Sequence, residues 1–151
     1  MTITSVDLGD LSSWTGRHLG ASDWYEVGFG QIRAFADATG DHQWIHVDEE
    51  GAAAGPFGAP IAHGYLTLSL VPYLLPTFFE VTGTSMGLNY GCGKVRFPAP
   101  LRAGTRVRCE ADLLSVDDVA AGRQATLMTT IVSAENPKPH CVAQVIYRYL
   151  F

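Results

Sequence analysis

The seven residues from Gly40 to His46, GDHQWIH, hold one carboxylic acid and two imidazoles: Asp41, His42 and His46. A carboxylate and an imidazole sharing one water can hold it, orient a lone pair and remove its proton. On a continuous helix Asp41 and His46 would lie about 140° apart around the axis, too far to converge. Because Gly40 precedes them, an irregular turn could instead aim both at the same water. A plainer reading stands beside this one, with Asp41 capping a turn and His46 at the surface.

His42 and His46 are spaced i, i+4, as zinc ligands often are. Two histidines do not complete a tetrahedral site, and HExxH is absent because Gln43 follows His42. The expectation is no metal, with His42 facing solvent or steadying the loop. Trp44 and Ile45 are expected to anchor that loop by packing into apolar surface.

A second stretch, IAHGYLTLSL from Ile61 to Leu70, offers the complementary group. Gly64 near a helix start leaves backbone N–H groups unpaired, where the helix dipole adds partial positive charge. Such donors stabilise an enolate oxygen forming on a thioester carbonyl, an effect of roughly 3–4 kcal/mol where one donor has been removed. Close packing at Gly64, with His63 bonded to a neighbouring loop, accounts for the same residues without chemistry.

These residues need elements to hold them. Gln31 to Thr39 reads as a helix, with Ile32, Phe35 and Ala36 on one face and Gly40 as its stop. Asp48 is placed to cap a second short helix through EEGAAAG. From Ala62 to Phe79 no Asp, Glu, Lys or Arg occurs, which predicts a long apolar helix, kinked or interrupted at Pro72 and Pro76. That length approaches a membrane span. The prolines, His63 and Gly64, and the lack of flanking basic residues favour a helix buried in a soluble protein instead.

The second half changes character. Ser22 to Val27 (SDWYEV) already suggests a strand. SMGLNYGCGKVRFPA then reads as a strand, a Gly-rich break and another strand. TRVRCEADLLSV, RQATLMTTIVSA and HCVAQVIYRYL are strand-length runs separated by turn residues. Helices followed by strands give an α+β class, with a long central helix wrapped by a curved antiparallel sheet. The stretch up to Gly20 stays unassigned.

The chain has 151 residues, 47% of them hydrophobic, enough for one domain spanning 1–151 with its own core. A net charge of −5 argues against nucleic acid as a partner. Cys92, Cys109 and Cys141 form no CxxC pair, and the first ten residues, MTITSVDLGD, lack a signal-peptide pattern. Reduced thiols in the cytoplasm are therefore expected.

Taken together, FADATGDHQWIHVDEEGAAAGPFGAPIAHGYLTLSL strongly resembles the hydratase segment of the MaoC-like, R-specific enoyl-CoA hydratase family. The elements of that pattern are Thr39-Gly40-Asp41, His46-Val47-Asp48, Ala52 to Ala54, and Ile61-Ala62-His63-Gly64. NYGCGKVRFPAPLRAGTRVR resembles the family's later strand and its F-x-x-P-V segment. The resemblance runs from about Ala21 to the C-terminus. It implies a hot-dog fold and reversible syn hydration of a trans-2-enoyl thioester to the (R)-3-hydroxyacyl thioester.

By that resemblance Asp41 and His46 match the acid–base pair. Gly64 matches the glycine whose N–H binds the thioester carbonyl, and His63 is expected to line the substrate site. No metal or redox cofactor is implied; the acyl-CoA or acyl-carrier-protein thioester is the substrate. The family is usually dimeric, and exposed sheet edges invite pairing. A homodimer is therefore expected, with Asn89 and Tyr90 bordering the pocket. Tyr65, Leu66 and Leu70 are candidates for an acyl wall, or simply core. Lys94, Arg96, Arg102, Arg106 and Arg108 are candidates for CoA phosphates, or a solvated strand face.

Two departures stand out. Gln43 and Trp44 replace the family's Asn-Pro, and Pro72 lies where some members carry a helpful serine. Two other readings remain open: a hot-dog thioesterase, and a non-catalytic acyl-thioester-binding or partner subunit of a dehydratase heterodimer. The first expects an acid on the central helix, which has none before Glu80. The second has no need of an acid–base pair.

Overall fold

The computed structural model describes residues 2–151. The chain begins with β1 (Thr4–Asp7), a 3-10 turn (Leu8–Trp14), β2 (His18–Ala21) and β3 (Tyr25–Val27). Five short helices follow: α1 (Phe29–Thr39), α2 (Trp44–Val47), α3 (Glu49–Ala54), α4 (Gly64–Ser69) and α5 (Val71–Leu74). A second 3-10 turn (Leu75–Thr77) leads to β4 (Phe79–Thr82), β5 (Met86–Arg96), β6 (Thr105–Val119), β7 (Gly122–Ser133) and β8 (Cys141–Leu150).

Alternation builds the main sheet. Along the first part of β6 and of β8 and most of β7 every second residue is buried, including Val107, Ala111, Leu113, Leu127, Ile131 and Val145. Period-two burial sends one set of side chains to the core and the other to solvent. The strands order as β2-β6-β7-β8-β5, with β3 beside β2 on β6, and all pairs are antiparallel.

Against the inner face lie Leu66, Leu70, Val71, Leu74, Leu75 and Phe78. Each such side chain contributes about 1.5–3 kcal/mol when fully buried. These residues come from the predicted central helix, which starts at Gly64 rather than Ala62. It is broken after Ser69 and again after Leu74. Pro72 and Pro76 each open a new helical piece, because proline cannot donate the backbone hydrogen bond that would continue the old one. Among the described residues, no helix is long and apolar enough to cross a membrane.

Three other expectations change. The N-terminal stretch pairs β1 in parallel with β4, a contact between residues some 75 positions apart that no local pattern announces. SDWYEV contributes only Tyr25–Val27 as strand. The anticipated break inside GLNYGCGKV is a single strand, β5, whose register against β8 shifts between Asn89 and Gly91 and between Cys92 and Val95. Its glycines make room: a side chain at Gly87 would meet the Tyr149 ring, and one at Gly93 the Gln144 amide. The glycines thus admit neighbours rather than end the strand. Cys109 and Cys141 are core residues whose thiols burial pushes up to about 12, while Cys92 is exposed on β5.

Candidate active site

The loop is set by the end of α1. Ile32 and Ala36 bury one face of that helix, and Gly40 closes it at φ 83°, donating its N–H to the Ala36 carbonyl at 2.8 Å. Left-handed backbone favours glycine here because it carries no Cβ. The chain then turns outward, leaving the Asp41 side chain 54% exposed. Asp41 Oδ1 accepts the Gln43 N–H at 3.3 Å, and the Gln43 carbonyl accepts the His46 N–H at 3.0 Å. The single turn of α2 carries His46 back into the protein, where it is buried.

His46 is held in one tautomer. Its Nδ1 lies 2.6 Å from the carbonyl oxygen of Ile61. A carbonyl can only accept, so Nδ1 carries the proton and Nε2 of the neutral ring is the free base. Ile61 in turn donates its N–H to the Ile45 carbonyl at 3.0 Å, so the two loop segments are tied from both sides.

His63, at the N-cap of α4, is buried behind this pair. Its Nε2 donates to the Asp41 backbone carbonyl at 2.9 Å and lies 3.9 Å from the Asp41 carboxylate. Its ring stacks on His46 with centroids 3.8 Å apart and 23° between planes.

One ligand atom from each of Asp41, His46 and His63 lies within 4.8 Å of the other two, close enough for the three to be considered as metal ligands. The stack argues against that use. Near-parallel rings keep their in-plane lone pairs in separate, near-parallel planes, whereas a metal needs them to converge. One nitrogen on each ring is also committed to a backbone carbonyl.

A cavity of about 320 Å³ opens beside His46, and Gly64, Thr67, Phe97, Leu101 and His140 are among its other walls. The Gly64 N–H finds no hydrogen-bond partner among the described residues. The Phe97 ring rests directly on Gly64, so close that an added Cβ would stand 2.8 Å from it.

His46 and Gly64 thus share one cavity, with Asp41 beside His46 at the loop. His63 does not line that cavity as expected; it lies behind the pair, its ring covered by Phe35 at 4.9 Å. His42 is at the surface, its Nε2 2.8 Å from Asp37 Oδ1.

Trp44 does not anchor the loop by burial: it stays exposed and lays its ring edge against Gly55. Tyr65 is 73% exposed, while Leu66 and Leu70 belong to the core. Asn89 lines an apolar groove with Pro72 and Tyr147, away from His46. Tyr90 faces out under the Arg148 guanidinium, 3.5 Å from its ring centroid.

Of the basic candidates, Arg108 is bonded to Glu110, Arg96 to its neighbouring carbonyl, and Arg102 lines a polar cavity that shares His140 and Pro100 with the first. Sequence reasoning missed Phe97, Thr67 and His140 as cavity walls. FPAPL was visible as a motif segment, but nothing local marks His140. Both of its ring nitrogens are engaged, with Ala99 and Ser133.

A curved antiparallel sheet around a broken apolar helix, with Asp41, His46 and His63 gathered at the helix start, defines a hot-dog domain. Residues 10–136 match the family model described as MaoC like domain, and the chain belongs to that family. It is 49% identical to 3-hydroxyacyl-thioester dehydratase Z of Mycobacterium tuberculosis, over 97% of this chain and 98% of that protein.

Among solved structures, the (R)-hydratase from A. caviae involved in PHA biosynthesis superposes with a TM-score of 0.71 at 24% identity. That match covers 88% of this chain and 94% of the other. The HadBC (3R-hydroxyacyl-ACP dehydratase) complex from M. tuberculosis superposes with a TM-score of 0.72 at 22% identity, covering 89% and 96%. At these identities the two structures establish the shared fold alone.

Proposed function

We propose that this protein reversibly hydrates trans-2-enoyl thioesters to (R)-3-hydroxyacyl thioesters. The observation that carries the reading is the tautomer lock on His46. With Nδ1–H held by Ile61, Nε2 is left basic beside the Asp41 carboxylate and in one cavity with the unpaired Gly64 N–H. The 49% identity to a dehydratase of 3-hydroxyacyl thioesters supports the substrate class.

In the forward direction the Gly64 N–H polarises the thioester carbonyl and makes C3 electrophilic. Asp41 and His46 hold a water at C3, and His46 Nε2 takes its proton as the hydroxyl oxygen bonds to C3. The pair then returns one proton to C2 on the same face, so one water is consumed and nothing else is needed. The reaction requires no redox cofactor and, on the lone-pair geometry above, no metal. Arg102, in the neighbouring polar cavity, would meet an anionic part of the thioester carrier.

Crotonyl-CoA tests the proposal. Loss of enoyl absorbance without release of free thiol, unaffected by a chelator, is the expected result. Thiol release at constant enoyl content would make the protein a thioesterase. Neither change would leave it a binding subunit.

The reading extends to assembly. β5 is the outer strand of the sheet, eleven residues long and exposed along almost all of it, with Met86, Leu88 and Tyr90 presented to solvent. A long apolar edge pairs readily with another strand. We infer a homodimer joined through β5.

A further inference from the structure

We propose that His63 is a positioning residue for the acid–base loop, acting through the backbone of Asp41 rather than on the substrate. The role given to Asp41 rests on the hydration reading above; the contact itself does not. Four observations converge. His63 is 3% exposed and absent from the walls of the catalytic cavity. Its Nε2–H donates to the Asp41 carbonyl across 22 residues of sequence. Its ring stacks on His46 and also lies against the Phe35 ring. Its own carbonyl accepts both the N–H and the Oγ1–H of Thr67, rooting it in the first turn of α4.

The remaining ring nitrogen sharpens the point. With the proton on Nε2, Nδ1 is a buried acceptor, and none of the described residues donates to it. Buried polar atoms without partners are rare in folded proteins and ask for an explanation. If this site only filled space beside His46, an apolar ring would fill it without that unpaired nitrogen. What histidine adds is a single rigid donor aimed at Asp41, on the same ring that backs His46. One side chain therefore fixes the distance between the acid's loop and the base. Small displacements of a reacting group cost large factors in rate, so such a strut acts on turnover more than on substrate binding.

Two substitutions separate donor from ring. His63→Gln keeps an N–H at the Nε2 position but loses the stack, whereas His63→Phe keeps the stack and loses the donor. His63→Met removes the donor in a slimmer side chain should phenylalanine prove too large. The expected result is that His63→Phe and His63→Met lower kcat on crotonyl-CoA by at least about 30-fold with KM within about threefold. His63→Gln should stay within about fivefold of wild-type kcat. Hydrogen exchange over Gly40–Trp44 should rise in the variants without the donor and not in His63→Gln, whatever the activity of the wild-type protein.

Several results would overturn the proposal. Wild-type kcat in a folded His63→Phe or His63→Met would do so, as would a His63→Gln as impaired as the variants without the donor. A raised KM at unchanged kcat would make His63 a substrate contact. Unchanged exchange over Gly40–Trp44 in every variant would remove the strut even if hydration itself were absent.

Discussion

The Phe97 ring lies over Gly64 with three ring carbons within 3.0 Å of where a Cβ would sit. The two residues come from different parts of the chain, one just after β5 and one at the start of α4. Together they form part of the wall of the cavity that holds His46. Glycine is required here for the approach of a neighbour and not for its backbone angles, since Gly64 is not among the residues of positive φ. The ring closes over the helix start while leaving its N–H unpaired.

Gly64→Ala should therefore cost about 1–3 kcal/mol of stability, the usual range for overpacking, and should lower kcat/KM. The substitution keeps the N–H, so the loss would come from displacement of Phe97 or of the helix start. Phe97→Ala in the same chain should recover stability and part of the activity. Thermal melts and crotonyl-CoA kinetics on the two single variants and the double variant check this. A Gly64→Ala protein as stable and as active as wild type would show that the contact constrains nothing.

Asp41→Asn and His46→Gln should each reduce hydration at least about 100-fold, equivalent to about 2.7 kcal/mol of transition-state stabilisation. Asp41 is exposed, so its replacement should leave the melting temperature near wild type. His46→Gln loses the 2.6 Å bond to Ile61 and should also loosen the loop. Near-wild-type turnover in either folded variant would remove that residue from the mechanism.

Much of this site was legible in the sequence because its signals are local. Gly40 as a helix stop, Asp48 as a cap that accepts the Gly51 N–H at 3.0 Å, and the prolines that divide the apolar segment all act within a few residues. Asp41, His46 and Gly64 could be singled out because motif spacing survives in the chain. What stayed hidden depends on distant partners. Trp44 looks like an anchor by hydrophobicity, yet it finds only the edge of Gly55 and remains in solvent. β5 looked broken because glycines weaken a strand, and only the β8 side chains beneath it explain them. His63 looked like a substrate contact because it precedes Gly64. The carbonyl it serves belongs to a loop 22 residues earlier, and no spacing rule shows that.

The surface pair His42–Asp37 gives a prediction of opposite kind. The Asp37 carboxylate beside His42, bonded at 2.8 Å, holds that imidazole's pKa above its ordinary value. A raised folded-state pKa means that the charged pair stabilises the protein fully below the unfolded value of 6.5. The gain is lost as pH rises through the higher folded value. His42→Ala should thus be destabilised relative to wild type near pH 5 and equal to it near pH 9, with kcat unchanged at both. The gap should shrink in high salt, because both groups are exposed. Urea titrations at the two pH values measure it, and a gap that widens towards alkaline pH would contradict the assignment.

The final prediction concerns the outer strand. β8 satisfies one side of β5, and among the described residues β5 has no strand partner on its other side. Pairing β5 with its own copy about a two-fold axis makes the same patch serve both subunits. A stable interface of this kind covers about 1,200–2,000 Å² in total. It would remove Leu88 and Tyr90, exposed at 44% and 55%, from water. From a chain of 16.3 kDa, light scattering should therefore report about 33 kDa at micromolar concentration. Leu88→Lys, which places a charge on that edge, should shift the population towards monomer. Arg148 already stands over Tyr90, so an added lysine meets like charge as well as lost apolar contact. A stable and fully active monomer would refute the pairing. So would a chain that is inactive alone and active only with a second, different subunit. Neither result would touch the tautomer lock on His46, since Ile61 lies in the same chain.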